Sequence, residues 1–81
     1  MPRYYLDVLD GGQVIEDPDG IDFADRDTAI DEAVKGAREL VAHGIMQNED
    51  VSEQSFIIRD GNGETVAIVP FRDTLPGRLR A

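Results

Sequence analysis

Apolar and polar positions alternate over the first ten residues. In "RYYLDVL" a period of two puts Tyr4, Leu6 and Val8 on one side of a strand and Tyr5, Asp7 and Leu9 on the other. "DGG" at 10–12 ends that strand with a turn, and "QVIED" at 13–17 reads as a short second strand. "DPDG" at 17–20 turns again, with Pro18 supplying the fixed φ that position i+1 favours. Residues 21–23 read as a further short extended stretch.

The period then changes. Ile30, Ala33, Val34, Ala37, Leu40 and Val41 recur at three- and four-residue spacing and form one apolar stripe. Asp31, Glu32, Lys35, Arg38 and Glu39 fall on the opposite side, with Asp31 and Lys35 in the favourable i,i+4 order. The pattern predicts a helix over about 26–43, capped by Asp25, with Asp27 adding negative charge in the positive first turn. Gly44 sits where a left-handed residue would end such a helix, and Ile45 would then reach back to Leu40. His43 falls in the last turn, where an imidazole meets the negative end of the dipole. Gly36 lies on the margin of the stripe, where close backbone approach would account for it.

Residues 46–54 are polar and unpatterned, a loop. "SFIIRD" and "ETVAIVPF" are then two strands around "DGNG", a strong hairpin signal, with Arg59 and Glu64 placed to pair across the turn. One amphipathic helix among four or so strands must cover one sheet face. The expectation is a two-layer α+β domain over residues 1–75, in β-β-α-β-β order, followed by a flexible basic tail at 76–81.

Composition narrows the functional classes. The 81 residues contain no cysteine, which excludes disulfides, thiolate metal sites and cysteine nucleophiles. No apolar run approaches the roughly 20 residues that span a bilayer, and "MPRYYLDVLD" lacks an apolar signal core, so a cytoplasmic protein is expected. The net charge is −9, from 17 acidic and 8 basic residues. Residues 1–70 hold 16 acids and 5 bases, whereas 71–81 carry Arg72, Arg78 and Arg80 against Asp73. Such a body repels a phosphate backbone, so no nucleic-acid partner is expected. Tyr4, Tyr5, Phe56 and Phe71 accordingly read as core and interface residues, not as a platform for bases.

Two acidic turns invite a cation. Asp60, Asn62 and Glu64 alternate with Gly61 and Gly63, and Asp17, Asp19 and Asp22 surround the first Pro-Gly turn. Calcium loops use alternating oxygen side chains, but over twelve residues and between helices. Backbone geometry explains both stretches without an ion, so Asp60, Asn62 and Glu64 stand as weak metal candidates only. His43 is the only histidine, and no catalytic constellation or phosphate loop occurs. The expectation is a non-enzymatic domain without a cofactor, binding another protein or a second copy of itself. Tyr5, Leu9, Ile57 and Val69 are the interface candidates on the sheet's second face. An acidic, antitoxin-like or nucleic-acid-mimicking partner of a basic protein is the alternative.

Three stretches carry a family resemblance: "MPRYYLDVLDGG", "DPDGIDFADRDTAIDEAVKGARELV" and "FIIRDGNGETVAIVPF". Together they resemble a family of small bacterial proteins catalogued only as a domain of unknown function. Its members start on an "MPRYFFD"-like strand and close on a "VxDxxGxxVxxVPF"-like hairpin. The resemblance implies a ββαββ-like fold and carries over no active-site residue. A fainter likeness, to HicB-type antitoxins, rests on "TAIDEA" at 28–33, a generic helix start.

Overall fold

The computed structural model describes residues 1–75. Strands β1 (Arg3–Asp10), β2 (Gln13–Ile15) and β3 (Ile21–Asp22) precede helix α1 (Arg26–Met46); β4 (Ser55–Arg59), β5 (Thr65–Pro70) and a 3-10 turn (Phe71–Thr74) follow it. The sheet is antiparallel in the order β2-β1-β4-β5, and β3 pairs with the start of β1 on the same edge as β2. This is the expected α+β layout, with the extended stretch read at 21–23 forming the two-residue β3. β2 is shorter than its expected five residues because Asp17 leaves the ladder to build a turn.

Helix and sheet divide the core unequally. The helix buries Ala29, Ala33, Ala37, Val41 and Gly44, all small or β-branched. The sheet and 3-10 turn supply bulk through Tyr4, Phe56, Ile58, Val69 and Phe71. A stripe without large side chains lets the helix sit close to the strands, so the aromatic rings fill the space between layers. Phe56 and Phe71 meet edge to face with centroids 4.9 Å apart.

The helix start follows expectation: Asp25 Oδ1 accepts the Thr28 N–H at 2.8 Å. The helix end does not. It runs one turn beyond His43, and Gly44 lies inside it, buried. The left-handed residue is Asn48, at φ 59°. Its N–H donates to the Ile45 carbonyl at 3.1 Å and the Glu49 N–H donates to the Gly44 carbonyl at 2.7 Å, the paired bonds of a Schellman ending. Gly44 is needed for the next step of the path, since a Cβ there would stand 2.8 Å from the Glu49 carbonyl oxygen. At Gly36 the nearest atom to such a Cβ is 3.9 Å away, an ordinary contact, so close approach does not explain that glycine.

The segment after β5 is not frayed as far as Leu75. Phe71 is fully buried, its N–H donates to the Gln54 carbonyl at 2.9 Å, and Arg38 Nε donates to the Thr74 carbonyl at 2.8 Å. Burying a phenylalanine is worth about 1.5–3 kcal/mol, enough to anchor the segment. The expected tail at 76–81, with Arg78 and Arg80, lies outside the described residues.

Candidate functional site

The sheet side away from the helix is uncovered, and its centre is polar. Asp7 is 3% exposed in the middle of β1. Period two aims it away from the helix, and the β1–β4 register puts Arg59 diagonally across, opposite Tyr5. Both Arg59 nitrogens in reach are used: Nε donates to Asp7 Oδ2 at 2.5 Å and Nη2 donates to Oδ1 at 3.0 Å. The guanidinium also lies over the Tyr5 ring, 5.1 Å from its centroid. Arg59 therefore pairs with Asp7, not with Glu64 as the turn sequence suggested.

A second carboxylate completes the cluster. The outer edge of β1 is paired by β2 at one end and β3 at the other, which leaves the Leu6 N–H between them. Asp17 Oδ2 accepts it at 3.2 Å, while the Asp17 N–H donates to Asp7 Oδ1 at 3.0 Å. Asp17 Oδ1 accepts the N–H groups of Asp19 and Gly20 at 3.2 and 3.1 Å. The hydrogen bonds from Arg59 hold the Asp7 carboxyl below the usual carboxylate range against the opposing effect of burial, with help from the Asp17 N–H. For Asp17 burial pulls upward, but the bonds from Gly20, Leu6 and Asp19 outweigh it and the carboxyl is lowered too. Gly20, at φ 72°, is packed so closely that a Cβ would lie 2.8 Å from Arg3 Cγ and 2.9 Å from Tyr5 Cε2.

These bonds leave the acids committed to the backbone. Asp60 Oδ1 accepts the N–H of Asn62 at 2.9 Å and of Glu64 at 3.0 Å, inside a turn where Gly63 takes φ 82°. Asp22 pairs with Arg3 at 3.0 Å. Among the described residues no three His, Cys, Asp or Glu side chains come together as a metal cluster, and every buried side-chain nitrogen and oxygen has a hydrogen-bond partner. His43 is exposed in the last turns of the helix. Arg72, in the 3-10 turn, lies 3.6 Å from Glu53.

Of the interface candidates, Tyr5, Leu9 and Ile57 lie on the uncovered side, each half-buried. Val69 does not. It pairs with Phe56 and belongs to the core. The reason is an irregularity between Ile58 and Arg59, where Thr65 becomes the partner of Arg59 and Val66 is the extra residue. Val66 and Ala67 then both pack toward the core, and Ile68, 58% exposed, takes the place on the open side that Val69 was expected to hold. Val14, opposite Leu9, adds an exposed apolar residue there. The charged strand residues of this side pair off, Asp7 with Arg59 and Arg3 with Asp22.

Sequence reading missed the Asp7 cluster. Its signal was an acid in the centre of an alternating strand, matched by one arginine in another. No helix among the described residues is long and apolar enough to cross a membrane. Comparison with curated proteins and with solved structures gave no match. Residues 3–72, from the first residue of β1 through the 3-10 turn's second residue, match the model of the domain of unknown function DUF6894, and the chain belongs to that family.

Proposed function

We propose that this domain is a non-enzymatic association module that pairs with a second copy through the open side of its sheet. The observation behind this reading is a row of exposed apolar residues, on a chain of net charge −9, around a polar centre whose strand charges are paired. Leu9, Val14, Ile57 and Ile68 provide apolar surface, and the strand charges among them are paired, Asp7 with Arg59 and Arg3 with Asp22. Two such bodies repel one another over most approaches, and on this face the strand charges are already paired.

The edges are poorer candidates than the face. β2 and β3 are very short, and Asp17 already holds the one Leu6 N–H between them. On β5 the Phe71 N–H turns toward Gln54, so alternate residues place Pro70 and Ile68 outward. Pro70 has no N–H to offer and Val66 sits at the bulge, so little ladder remains for a partner strand.

Sedimentation velocity at high micromolar protein is the test. The expected result is a dimer for the native chain and a monomer for Ile68→Glu, a change at an exposed position, with an unchanged circular-dichroism spectrum. A native chain that stays monomeric overturns the reading. The acidic body also supports a second reading, capture of a basic protein surface. Its affinity would fall steeply between low and high salt, whereas self-association through the apolar residues of the open face would not.

A further inference from the structure

The helix covers only part of the sheet side on which it packs. α1 lies over β4, β5 and the 3-10 turn, and the bond from Arg38 to Thr74 marks the flank that faces that turn. The other flank carries Gly36 and Leu40. At about 100° per residue, Leu40 projects between Ala29 and Ala33 on the helix circumference. Those two alanines are fully buried, yet Leu40 is 44% exposed.

The strands beneath give the reason. Val69, Phe56, Val8 and Ile15 are successive cross-strand neighbours on the helix side. Val69 and Phe56 are 7% and 8% exposed, Val8 is half-buried, and Ile15 is 58% exposed. Exposure climbs along one row as it leaves the helix. Four strands spaced by about 4.8 Å form a surface roughly 19 Å wide, and one helix covers about 10 Å of it. Phe23 packs on Tyr4 and closes the first half of β1, so the space is left over β2 and the Val8 end of β1, with Val8 and Ile15 as floor and Leu40 as wall.

We infer that this open corner of the sheet docks an amphipathic helix of a partner protein, one whose apolar face is bordered by lysine or arginine. Charge selects that occupant. Asp10 lies on the hairpin beyond Val8, and Glu32 and Glu39 lie on the flank of α1 beside Gly36 and Leu40; none of the three is in an ion pair among the described residues. A helix of a second copy does not suit the place. The helix of each copy already spends its alanine stripe on its own sheet and turns Asp31, Glu32 and Glu39 outward, so acid would meet acid. A strand does not suit it either, because the adjoining edge is the short one that Asp17 closes.

The test is a titration of the full ¹⁵N-labelled chain with a Leu/Lys peptide of about four helical turns. A Leu/Glu version and a scrambled Leu/Lys version serve as controls. The expected result is amide shifts at Val8, Ile15, Gly36 and Leu40 with the Leu/Lys peptide, and at least roughly tenfold weaker binding in Ile15→Ser and Leu40→Ser. Both positions are exposed, so the melting curves should match the native chain. Ile68→Glu, on the other face, should bind the peptide within about twofold of native while losing self-association, so the two readings fail separately. Shifts confined to other surfaces, equal binding of either control peptide, or undiminished binding by Ile15→Ser and Leu40→Ser would overturn the inference.

Discussion

Two acidic, glycine-containing turns look alike on paper and differ in reach. In the 60–64 turn Asp60 accepts the N–H groups of Asn62 and Glu64, and the unit closes on itself. In the 17–20 turn Asp17 accepts Asp19 and Gly20 in the same manner, but its second oxygen holds Leu6 on β1 and its own N–H goes to Asp7. Asp7 in turn grips Arg59 on β4. The same local chemistry ends a hairpin in one place and joins three segments in the other. An aspartate before a turn therefore gives the turn, and only its surroundings decide whether the turn is also a clamp.

Three changes should separate the two turns. The largest effect is expected from Asp7→Ala, which strands the Asp17 N–H and leaves Arg59 without its partner. A loss of about 2–3 kcal/mol is expected, under the figure for a fully buried pair because Arg59 keeps access to water. Urea unfolding measures it, and Glu64→Ala should change the midpoint little beside it. If the two cost the same, the clamp has no energetic meaning.

Next come the glycines. Gly20→Ala adds a collision with Arg3 and Tyr5 to the strain of a positive φ, for a total of about 2 kcal/mol. Gly63→Ala has the strain alone, since nothing lies within 4 Å of its Cβ, and should cost about 1 kcal/mol. Equal melting temperatures for the two variants would mean that the packing at Gly20 relaxes freely.

The smallest effect is a pH dependence. Asp7 and Asp17 are both lowered in the folded state, so each binds protons more readily when unfolded. Their stabilisation is present above about pH 5 and is lost as pH falls through the lowered folded-state values. Thermal melts from pH 7 down to 3 should therefore decline in the native chain, and Asp17→Asn should flatten part of that decline. A native melt that holds steady to pH 3 would contradict the assignment.

The elements were legible because periodicity reports them directly. Alternation in "RYYLDVL" and "SFIIR", the Asp25 cap and the alanine-rich stripe each became what their spacing implied. What escaped the sequence depended on distant chain. Gly44 looked like a terminator, but its small size serves the return of Glu49 across the last turn, and Asn48 does the terminating. Val69 counted as outward until the shift at Val66 moved the register. Leu40 belongs to the stripe by spacing and is exposed because the sheet beneath it has no second cover. The Asp7 cluster needed the β1–β4 pairing, which places partners 52 residues apart and leaves no local signature.

That separation also sets an order of events for a chain made from its N-terminus. β1 can close with β2 as soon as the first hairpin is complete, but its other edge is reserved for β4. Until Arg59 has been synthesised, one whole side of the first strand stays unpaired and Asp7 stays without its counter-charge. Such long-range closure slows folding relative to local hairpins, and an open edge invites wrong partners while it lasts. The strand that emerges first is among the last to be sealed.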